Sequence, residues 1–553
     1  MPPRAPMSHL PTHDVTNMPP AIGDQDLWAD DIALREAVTR EGAGWAEAEL
    51  AAFGPVAGAE ATFDLADQAN RYPPELHAFD RYGMRVNQVR FHPAYHDLQK
   101  IAVGHGLPNF AWNHRRAGGH VAHAALNYML NQAEGGVLCP MAMTYVAVPA
   151  LSTTPALAGE WLPRLMSTEY DARDIPAEEK TGAQIGMFMT EKQGGSDVRA
   201  NTTRAVPDGA GWRLTGHKFF CSAPMSDAFL TLAYTEAGLS CFLVPRFTPD
   251  GARNGLYLQR LKDKLGNKSN ASSEMELMDS WGQMVGPEGR GVRTIIDMVQ
   301  GTRFYCAFGS AALMRQGLVQ ALHHTSHRVA FQRRLIDQPL MQNVLADLAL
   351  ESEAALMLAM RLGRALDAAA TDPAEEKLAR IGTAVGKYWI CKRAPGHVFE
   401  AMECHGGPGY VEESPLPRLY REAPVNSIWE GSGNVICLDV LRALGRDPDT
   451  FTAWRAEVEK ARGGDARLDR AIDALGALMA DPAGLEPQAR RLTEAMALIW
   501  QAALMLQHAP APVADAFVAS RLGPDGTPIA PGAYGTLAAG TDFAAILGRA
   551  APQ

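Results

Sequence analysis

The stretch Asn426-Ser427-Ile428-Trp429-Glu430-Gly431-Ser432-Gly433-Asn434 decides how the rest of the chain is interpreted. It places one carboxylate, Glu430, between an indole and a small, flexible tripeptide. The glycines on both sides of Ser432 let the backbone approach a flat ligand and adopt positive φ. A carboxylate partly desolvated by the neighbouring indole would suit a general base. On spacing alone, a helix cap with a surface carboxylate is the simpler interpretation, so the other segments must decide.

Length and composition indicate a soluble protein of several domains. The 553 residues exceed what one hydrophobic core organises, and 47% hydrophobic with 20% charged residues is ordinary for a globular protein. The formal net charge of −11 argues against a chain that coats nucleic acid non-specifically, although it does not exclude a local basic patch.

Cysteine usage and the N-terminus indicate the compartment. The 7 cysteines are scattered and form no C-x-x-C pair. We therefore expect a reduced, cytoplasmic setting with no disulfide framework and no metal site. Residues 1–24 are rich in proline and lack the apolar core of a signal peptide. No window holds about 18 uninterrupted apolar residues, so we expect no membrane span.

The order of secondary-structure signals predicts an α+β multidomain chain. Helix-forming residues dominate the first part, strand-like runs between Pro-Asp-Gly turns occupy the middle, and helical periodicity returns from Gly291. The predicted units are an extended N-terminal arm (1–24), an all-α domain (25–181), an antiparallel β domain (182–288), a helical bundle (289–445) and an extra helical region with a Pro/Gly-rich end (446–553).

Four segments carry more specific expectations. Leu76–Tyr82 and Ala423–Leu444 are predicted to be helical. A stripe from Leu345 to Leu366, spaced alternately by three and four residues, predicts one seam along a bundle helix. The tail is predicted to be helical to about residue 507 and irregular beyond it, where prolines and glycines accumulate.

A second informative stretch, Met189-Thr190-Glu191-Lys192-Gln193-Gly194-Gly195-Ser196-Asp197, lies at the entry to the β region. The hydroxyls of Thr190 and Ser196 and the amides of two adjacent glycines could hydrogen-bond a planar heterocycle and an attached phosphate. An ordinary β-turn connection is the alternative. The stretch is not a G-x-G-x-x-G dinucleotide fingerprint, and no βαβ pattern surrounds it.

Three further segments have both a binding and a structural interpretation. Lys218–Ala223 combines aromatics with a hydroxyl at Ser222 and could flank a ring, or it is a buried strand. Arg328–Gln332 could clamp a pyrophosphate and cover an adenine with Phe331, or it is a solvated helix end. Glu403–Tyr410 has three glycines within four residues, which could lay backbone against a ligand or form a helix C-cap and loop.

Together, in this order and spacing, the five segments resemble the acyl-CoA dehydrogenase flavoproteins, and more specifically their adaptive-response, AidB-type branch. The resemblance covers residues 10–445 well and the tail more loosely. It implies an N-terminal α domain, a central β domain, a C-terminal four-helix bundle and, in this branch, an added helical domain. The closer match is carried by MTEKQGGSDVRANTTRA (189–205), LSCFLVPR (239–246), LKDKLGNKSNAS (261–272) and RLYREAPVNSIWEGSGN (418–434).

The resemblance also implies FAD as cofactor, held between the β domain and the bundle. Sharing of FAD across a subunit interface implies at least a homodimer, and the family is commonly a homotetramer. The implied contacts on the flavin side are Met189, Thr190, Gly195, Ser196, Phe220, Ser222, Ser432 and Asn434. Those on the pyrophosphate and adenine side are Arg328, Phe331, Gly406 and Gly407. Four positions depart from the family's usual residues: Phe220 stands in place of Trp, Ser222 and Ser432 each in place of Thr, and Glu403 in place of Gln.

The reaction implied by the resemblance is oxidation of an acyl-CoA-like thioester. Glu430 matches the catalytic base, which removes the α proton while the β hydrogen leaves as hydride to flavin N5. Hydrogen bonds to the thioester carbonyl, from a ribityl hydroxyl and the base's own amide, stabilise the enolate-like charge. The expected product is a 2-enoyl thioester, and an electron-transfer flavoprotein would reoxidise the reduced FAD.

The AidB-type branch implies an alternative function as well. Because that branch is linked to the DNA alkylation response, the chain could be a DNA-associated flavoprotein with weak or residual dehydrogenase activity. Its tail would then bind duplex DNA, with Arg442, Arg446 and Arg467 as candidate phosphate contacts. Acidic residues interleave with these arginines, so a solvated helical surface is an equally good interpretation.

Overall fold

The computed structural model describes residues 6–479, 484–530 and 532–552, so the first five residues of the predicted arm lie outside the described part. The rest of the arm contains one short pairing, of β1 (His9–Leu10) with β2 (His13–Asp14). Asn17 fastens the arm to a distant segment of its own chain. Its side-chain amide donates to Val329 O (2.8 Å), and its Oδ1 accepts from Val329 N (2.7 Å).

The N-terminal domain is helical except for one hairpin. The prediction of helix over Leu76–Tyr82 is wrong, because β3 (Glu75–Phe79) pairs antiparallel with β4 (Arg85–Arg90). Asp80 turns the chain between them, since its Oδ1 accepts from the Tyr82 and Met84 amides at 2.8 and 2.9 Å. The helices are α1 (Ile32–Arg40), α2 (Glu47–Gly58), α3 (Glu60–Arg71), α4 (Pro93–Gly104), α5 (Phe110–Asn113), α6 (Gly119–Ala133), α7 (Leu138–Ser152) and α8 (Pro155–Leu165).

Seven strands form the central β region. They are β5 (Ile185–Phe188), β6 (Arg204–Asp208), β7 (Gly211–Ser222), β8 (Ala228–Thr235), β9 (Gly238–Pro245), β10 (Leu256–Leu261) and β11 (Ser272–Val285). Their order is β10-β11-β7-β6-β8-β5, and β9 pairs with both β8 and β11, so five strands close into a ring. Most pairs are antiparallel as predicted. The exceptions are β5 and β6, which run parallel to β8.

Long helices follow the β region. The predicted seam lies on α11, where every member from Leu345 to Leu362 is buried and Leu366 packs against the core. Ala423–Leu444 is not one helix, because a 3₁₀ turn over Ala423–Ser427 is separated from α15 by a break. The elements are α9 (Gly291–Thr294), α10 (Ile296–His327), β12 (Val329–Ala330), β13 (Arg333–Arg334), α11 (Pro339–Ala368), α12 (Pro373–Glu403), α13 (Gly407–Tyr410), α14 (Leu416–Glu422) and α15 (Gly433–Arg446).

The tail shares its core with the bundle. Trp500 lies so close to Gly382 that a Cβ on that glycine would be 2.6 Å from the indole. The buried Arg521 forms ion pairs with Asp347 (2.6 Å) and Glu351 (3.1 Å) of α11. The prediction of irregular chain beyond residue 507 is wrong, since two more helices follow. The tail helices are α16 (Asp449–Glu459), α17 (Ala466–Leu478), α18 (Ala489–His508), α19 (Ala511–Arg521) and α20 (Phe543–Ala550).

Among the residues that the structure describes, no helix is both long and apolar enough to cross a membrane.

The start of α12 offers a test of the local structure. The Asp372 carboxylate caps this helix by accepting from the amides of Ala374 (2.8 Å) and Glu375 (3.4 Å). Asp372→Ala is expected to lower the free energy of unfolding by about 1 kcal/mol, because the amides at a helix start then lose their acceptor. Asp372→Asn should retain most of the stability. Urea unfolding curves measure both, and equal midpoints for Ala and wild type would contradict the assigned cap.

Candidate functional site

Glu430 lies in the break between the 3₁₀ turn and α15. Its φ is +59°, and the next residue, Gly431, has φ +108°. A non-glycine residue in the left-handed region costs on the order of 1 kcal/mol or more and persists where the surroundings enforce it. The backbone at Glu430 is therefore held in place by its neighbours.

Side chains of two bundle helices hold this break. Thr302 Oγ1, on α10, donates to Glu430 Oε2 at 2.7 Å. Arg303 Nε donates to the Glu430 carbonyl at 3.1 Å, and Lys387 Nζ, on α12, donates to the Gly431 carbonyl at 2.5 Å. The half-buried carboxylate thus has a fixed direction, and both peptide carbonyls at the break are bound by cations.

Arg303, which binds the Glu430 carbonyl, also belongs to a buried cluster of ion pairs. Asp439 of α15 accepts from Arg303 Nη1 (2.7 Å) and from Arg380 Nη2 of α12 (2.9 Å). Burial opposes ionisation of Asp439, but Arg303 and Arg380 outweigh it and lower the pKa of this carboxyl. The cluster ties α10, α12 and α15 together directly behind the Glu430 break.

The β region contributes a second face. Phe220 and Ser222 lie two residues apart on β7 and so project from the same side of the strand. Phe220 is 51% exposed, and Ser222 is half-buried. The Phe219 amide donates to the Thr190 carbonyl at 2.8 Å, which lays the Met189–Ser196 segment beside this face. An open aromatic platform with hydroxyls along its edge suits a planar heterocycle.

The Cys139 thiol lies within electrostatic range of both faces. Cys139 belongs to α7, and burial raises the pKa of its thiol to about 11. The Glu430 carboxylate adds to that rise, while Lys264 and hydrogen bonds from Asn270 and Ser222 oppose it. Ser222 of the β region and Glu430 of the bundle therefore both influence this one thiol, which places the two faces in the same region of the molecule.

Sequence reasoning missed the support of the Met189–Ser196 segment. The Glu191 carboxylate, fully buried, accepts from Lys218 Nζ (2.8 Å), the Thr202 amide (2.7 Å) and Thr203 Oγ1 (2.5 Å). Burial opposes its ionisation, but these bonds prevail and lower the pKa of Glu191 to about 2. The available signal was weak, because Lys218 precedes two phenylalanines but Glu191 has polar neighbours in the sequence.

The residues predicted for the pyrophosphate and adenine side lie near the C-terminal end of α10. The His324 and His405 rings are 4.4 Å apart, which brings the Arg328 and Gly406 segments together. Arg328 Nη1 donates to the Asn17 carbonyl at 2.6 Å. Phe331 is 92% exposed at φ +52°. Gly406 has φ +63° and, like Gly407, is exposed, with open space where a Cβ would stand.

The remaining predicted flavin contacts differ in their surroundings. Ser432 is exposed at the start of α15, and Gly195 and Ser196 are exposed on their loop. Asn434 Oδ1 accepts from Arg490 Nε of α18 at 2.8 Å, so a tail helix reaches the predicted flavin contact.

The three arginines predicted to bind DNA are placed on the surface of α15 and the tail. Arg442 Nη1 pairs with Asp439 at 3.2 Å, and Arg467 Nη2 pairs with Asp465 at 2.7 Å. Arg446 is the exposed last residue of α15. Two of the three positive charges are therefore partly neutralised by their own chain, and DNA binding stays a prediction.

Comparisons with known proteins agree with these features. Three family models match the chain, described as the adaptive response protein AidB N-terminal domain (residues 17–172), the acyl-CoA dehydrogenase middle domain (186–280) and the acyl-CoA dehydrogenase C-terminal domain (289–445).

Individual relatives match over most of their length. The chain is 47% identical to AidB of Escherichia coli strain K12 over 92% of this chain and 94% of that protein. It is 31% identical to acyl-CoA dehydrogenase family member 11 of Caenorhabditis elegans over 84% of this chain and 80% of that protein. The crystal structure of C. elegans ACDH-11 in complex with C11-CoA matches with a TM-score of 0.84 at 28% identity, covering 93% of this chain and 92% of that one.

Proposed function

Because this chain belongs to the acyl-CoA dehydrogenase family, in the AidB branch, we propose that it oxidises an acyl-CoA thioester with FAD as cofactor and Glu430 as the base. The observation that carries the proposal is the way in which the side chain and backbone of Glu430 are held in place. Its carboxylate is held by Thr302 in a strained break of the backbone and, like Ser222 of the β face, it influences the Cys139 thiol. Strain of this kind is typical of functional positions.

The residues present fit FAD. The exposed ring of Phe220 and the hydroxyl of Ser222 offer one side to a flat ring, and the Met189–Ser196 segment runs along its edge. The open Gly406–Gly407 backbone and the Arg328 guanidinium suit the dinucleotide end. When bound, FAD supplies the two-electron acceptor for the β hydrogen.

The chain's own groups account for the proton and the carbonyl. The Glu430 carboxylate takes the α proton, and Thr302 keeps its Oε2 in position. In the described part of the chain the Glu430 amide N–H has no acceptor, so it is free to donate to the thioester carbonyl. That bond would stabilise the negative charge that develops when the α proton leaves.

A second copy of the chain completes the cofactor site in this proposal. α10 carries the chain roughly 40 Å from Thr302 to Arg328, a span longer than an extended FAD molecule. One FAD therefore cannot reach both ends of the predicted site in a single subunit. Large apolar side chains are also exposed near Arg328, with Phe331 at 92%, Leu340 at 83% and Tyr410 at 79%. We propose at least a homodimer, with an electron-transfer flavoprotein as the oxidant.

Steady-state turnover tests the proposed reaction. The purified chain, loaded with FAD, is mixed with acyl-CoA thioesters of different length and branching and an artificial electron acceptor. We expect formation of a 2-enoyl thioester from at least one of them. A flavin-loaded chain that oxidised none would contradict the proposed function.

The hydroxyl that holds the base gives a further prediction. Thr302→Val keeps the shape of the side chain but removes the donor to Glu430 Oε2. A hydrogen bond to a charged group contributes about 1.5–3 kcal/mol, so turnover is expected to fall about tenfold or more. Thr302→Ser keeps the hydroxyl and should stay close to wild type. Equal turnover of the Val and Ser variants would show that the bond does not matter.

A further inference from the structure

A chain of hydrogen bonds links a partly buried lysine to the β face. Lys264 lies in the loop between β10 and β11, and its Nζ donates to the Asn270 carbonyl and to Ser272 Oγ (3.1 Å). Ser272 Oγ lies 3.1 Å from Ser222 Oγ. The two serines are also direct neighbours in the pairing of β11 with β7. An ammonium is thereby joined to the predicted flavin contact through one intermediate hydroxyl.

The chemistry of these groups fixes the direction of the chain. An ammonium has no acceptor, so Lys264 must be the donor to Ser272. Ser272 is 6% exposed, and in the described part of the chain the Ser222 oxygen is the remaining partner for its single proton. Ser272 therefore donates to Ser222, because the opposite direction would leave a buried hydroxyl proton unpaired. The Ser222 proton then points away from Ser272 and is available to another acceptor.

The Lys264 side chain, which begins this series of hydrogen bonds, is charged at neutral pH. Burial lowers the pKa of Lys264 to about 8, against the opposing influence of Cys139, Glu422 and Glu134. The Ser222 hydroxyl faces the Cys139 thiol. Sulfur is a weak acceptor, so a carbonyl or imine nitrogen of a ligand would compete successfully for the Ser222 proton.

We propose that Lys264, acting through Ser272, makes Ser222 an obligatory hydrogen-bond donor to the flavin ring and thereby raises the reduction potential of the bound FAD. This inference rests on the proposed function. The oxidised ring offers acceptors at its carbonyls and its imine nitrogen, and reduction adds electron density to them. A donor backed by an ammonium stabilises that density, since polarised hydrogen bonds strengthen one another in a dry site. Lys264 is a positioning residue, because it acts through Ser272 and Ser222.

Midpoint potentials of the FAD-loaded chain test the inference, because they do not require turnover of any thioester. Lys264→Met removes the ammonium, whereas Ser272→Ala interrupts the series of hydrogen bonds but keeps the charge. Lys268→Met, in the same loop, is the matched control. Both Lys264→Met and Ser272→Ala are expected to lower the equilibrium constant for reduction of the bound FAD about tenfold. For a two-electron couple, this lowers the midpoint potential by about 30 mV. Lys268→Met should keep the wild-type potential.

The possible results separate the inference from the proposed function. A wild-type potential in FAD-loaded Lys264→Met would overturn it. A shift in Lys264→Met with none in Ser272→Ala would overturn it too, because the charge would then act without Ser272. If Lys264→Met fails to fold, Ser272→Ala alone decides in the same way. If the protein binds FAD and both variants lower its midpoint potential, but it oxidises no acyl-CoA, the result would support the inference and contradict the proposed function.

Discussion

Glu430→Gln is expected to lower the turnover number for an acyl-CoA substrate by about 10²- to 10⁴-fold, the usual contribution of a positioned general base. The amide oxygen of glutamine can still accept from Thr302, so the side chain keeps its place. It cannot take up the α proton. The variant should therefore bind FAD and substrate but fail at the first bond-breaking step. Steady-state turnover, normalised to flavin content, measures the effect.

Glu236→Gln is the matched control for that variant. Glu236 is exposed between β8 and β9 and belongs neither to the Glu430 break nor to the predicted flavin contacts, so the same charge is removed without altering the proposed base. Its turnover should equal that of the wild type. If Glu430→Gln also turned over at the wild-type rate, another group would have to be the base.

Glu191→Gln is expected to lower the free energy of unfolding by about 3–5 kcal/mol, because it leaves the ammonium of Lys218 buried without its counter-charge. The side chains of both residues are 0% exposed, and the carboxylate also holds Thr202 and Thr203. The Met189–Ser196 segment should loosen with it, so affinity for FAD should fall as well. Urea unfolding and flavin titration measure the two effects.

Double replacement and pH provide the controls for this pair. Glu191→Gln with Lys218→Met should recover much of the stability, since no unpaired charge then remains. The pKa of Glu191 is lowered from 4.5 to about 2 in the folded chain. Its contribution is therefore complete above pH 4.5 and is lost as the pH falls towards 2. A single variant as stable as wild type at neutral pH would contradict the assigned network.

Periodicity predicted the long helices but failed where short elements depend on partners. The seam from Leu345 to Leu366 follows from spacing alone, because one face of a helix must be buried. Glu75–Phe79 is only five residues long, too short for its polar–apolar alternation to decide the structure, and it forms a strand because it pairs with Arg85–Arg90 across the Asp80 turn. α19 was missed because Pro512 suggested a break, although proline is tolerated in the first turn of a helix.

The site shows the same division between local and long-range information. The motif at Asn426–Asn434 singled out Glu430, but its left-handed backbone depends on Arg303 and Lys387, which lie far away in sequence. Likewise, the partner of Glu191 is 27 positions along the chain. Such pairs become visible only when helices and strands are placed together, which is why the contacts of the base were not predicted with the base itself.

The most direct test of Glu430 as the base is a single turnover without oxygen. FAD-loaded wild type and Glu430→Gln are mixed anaerobically with the same acyl-CoA thioester, and the visible absorbance of the flavin is followed. The wild type is predicted to bleach, whereas Glu430→Gln should stay yellow, because the β hydrogen is not transferred while the α proton remains. Equal bleaching of the two proteins would contradict the account.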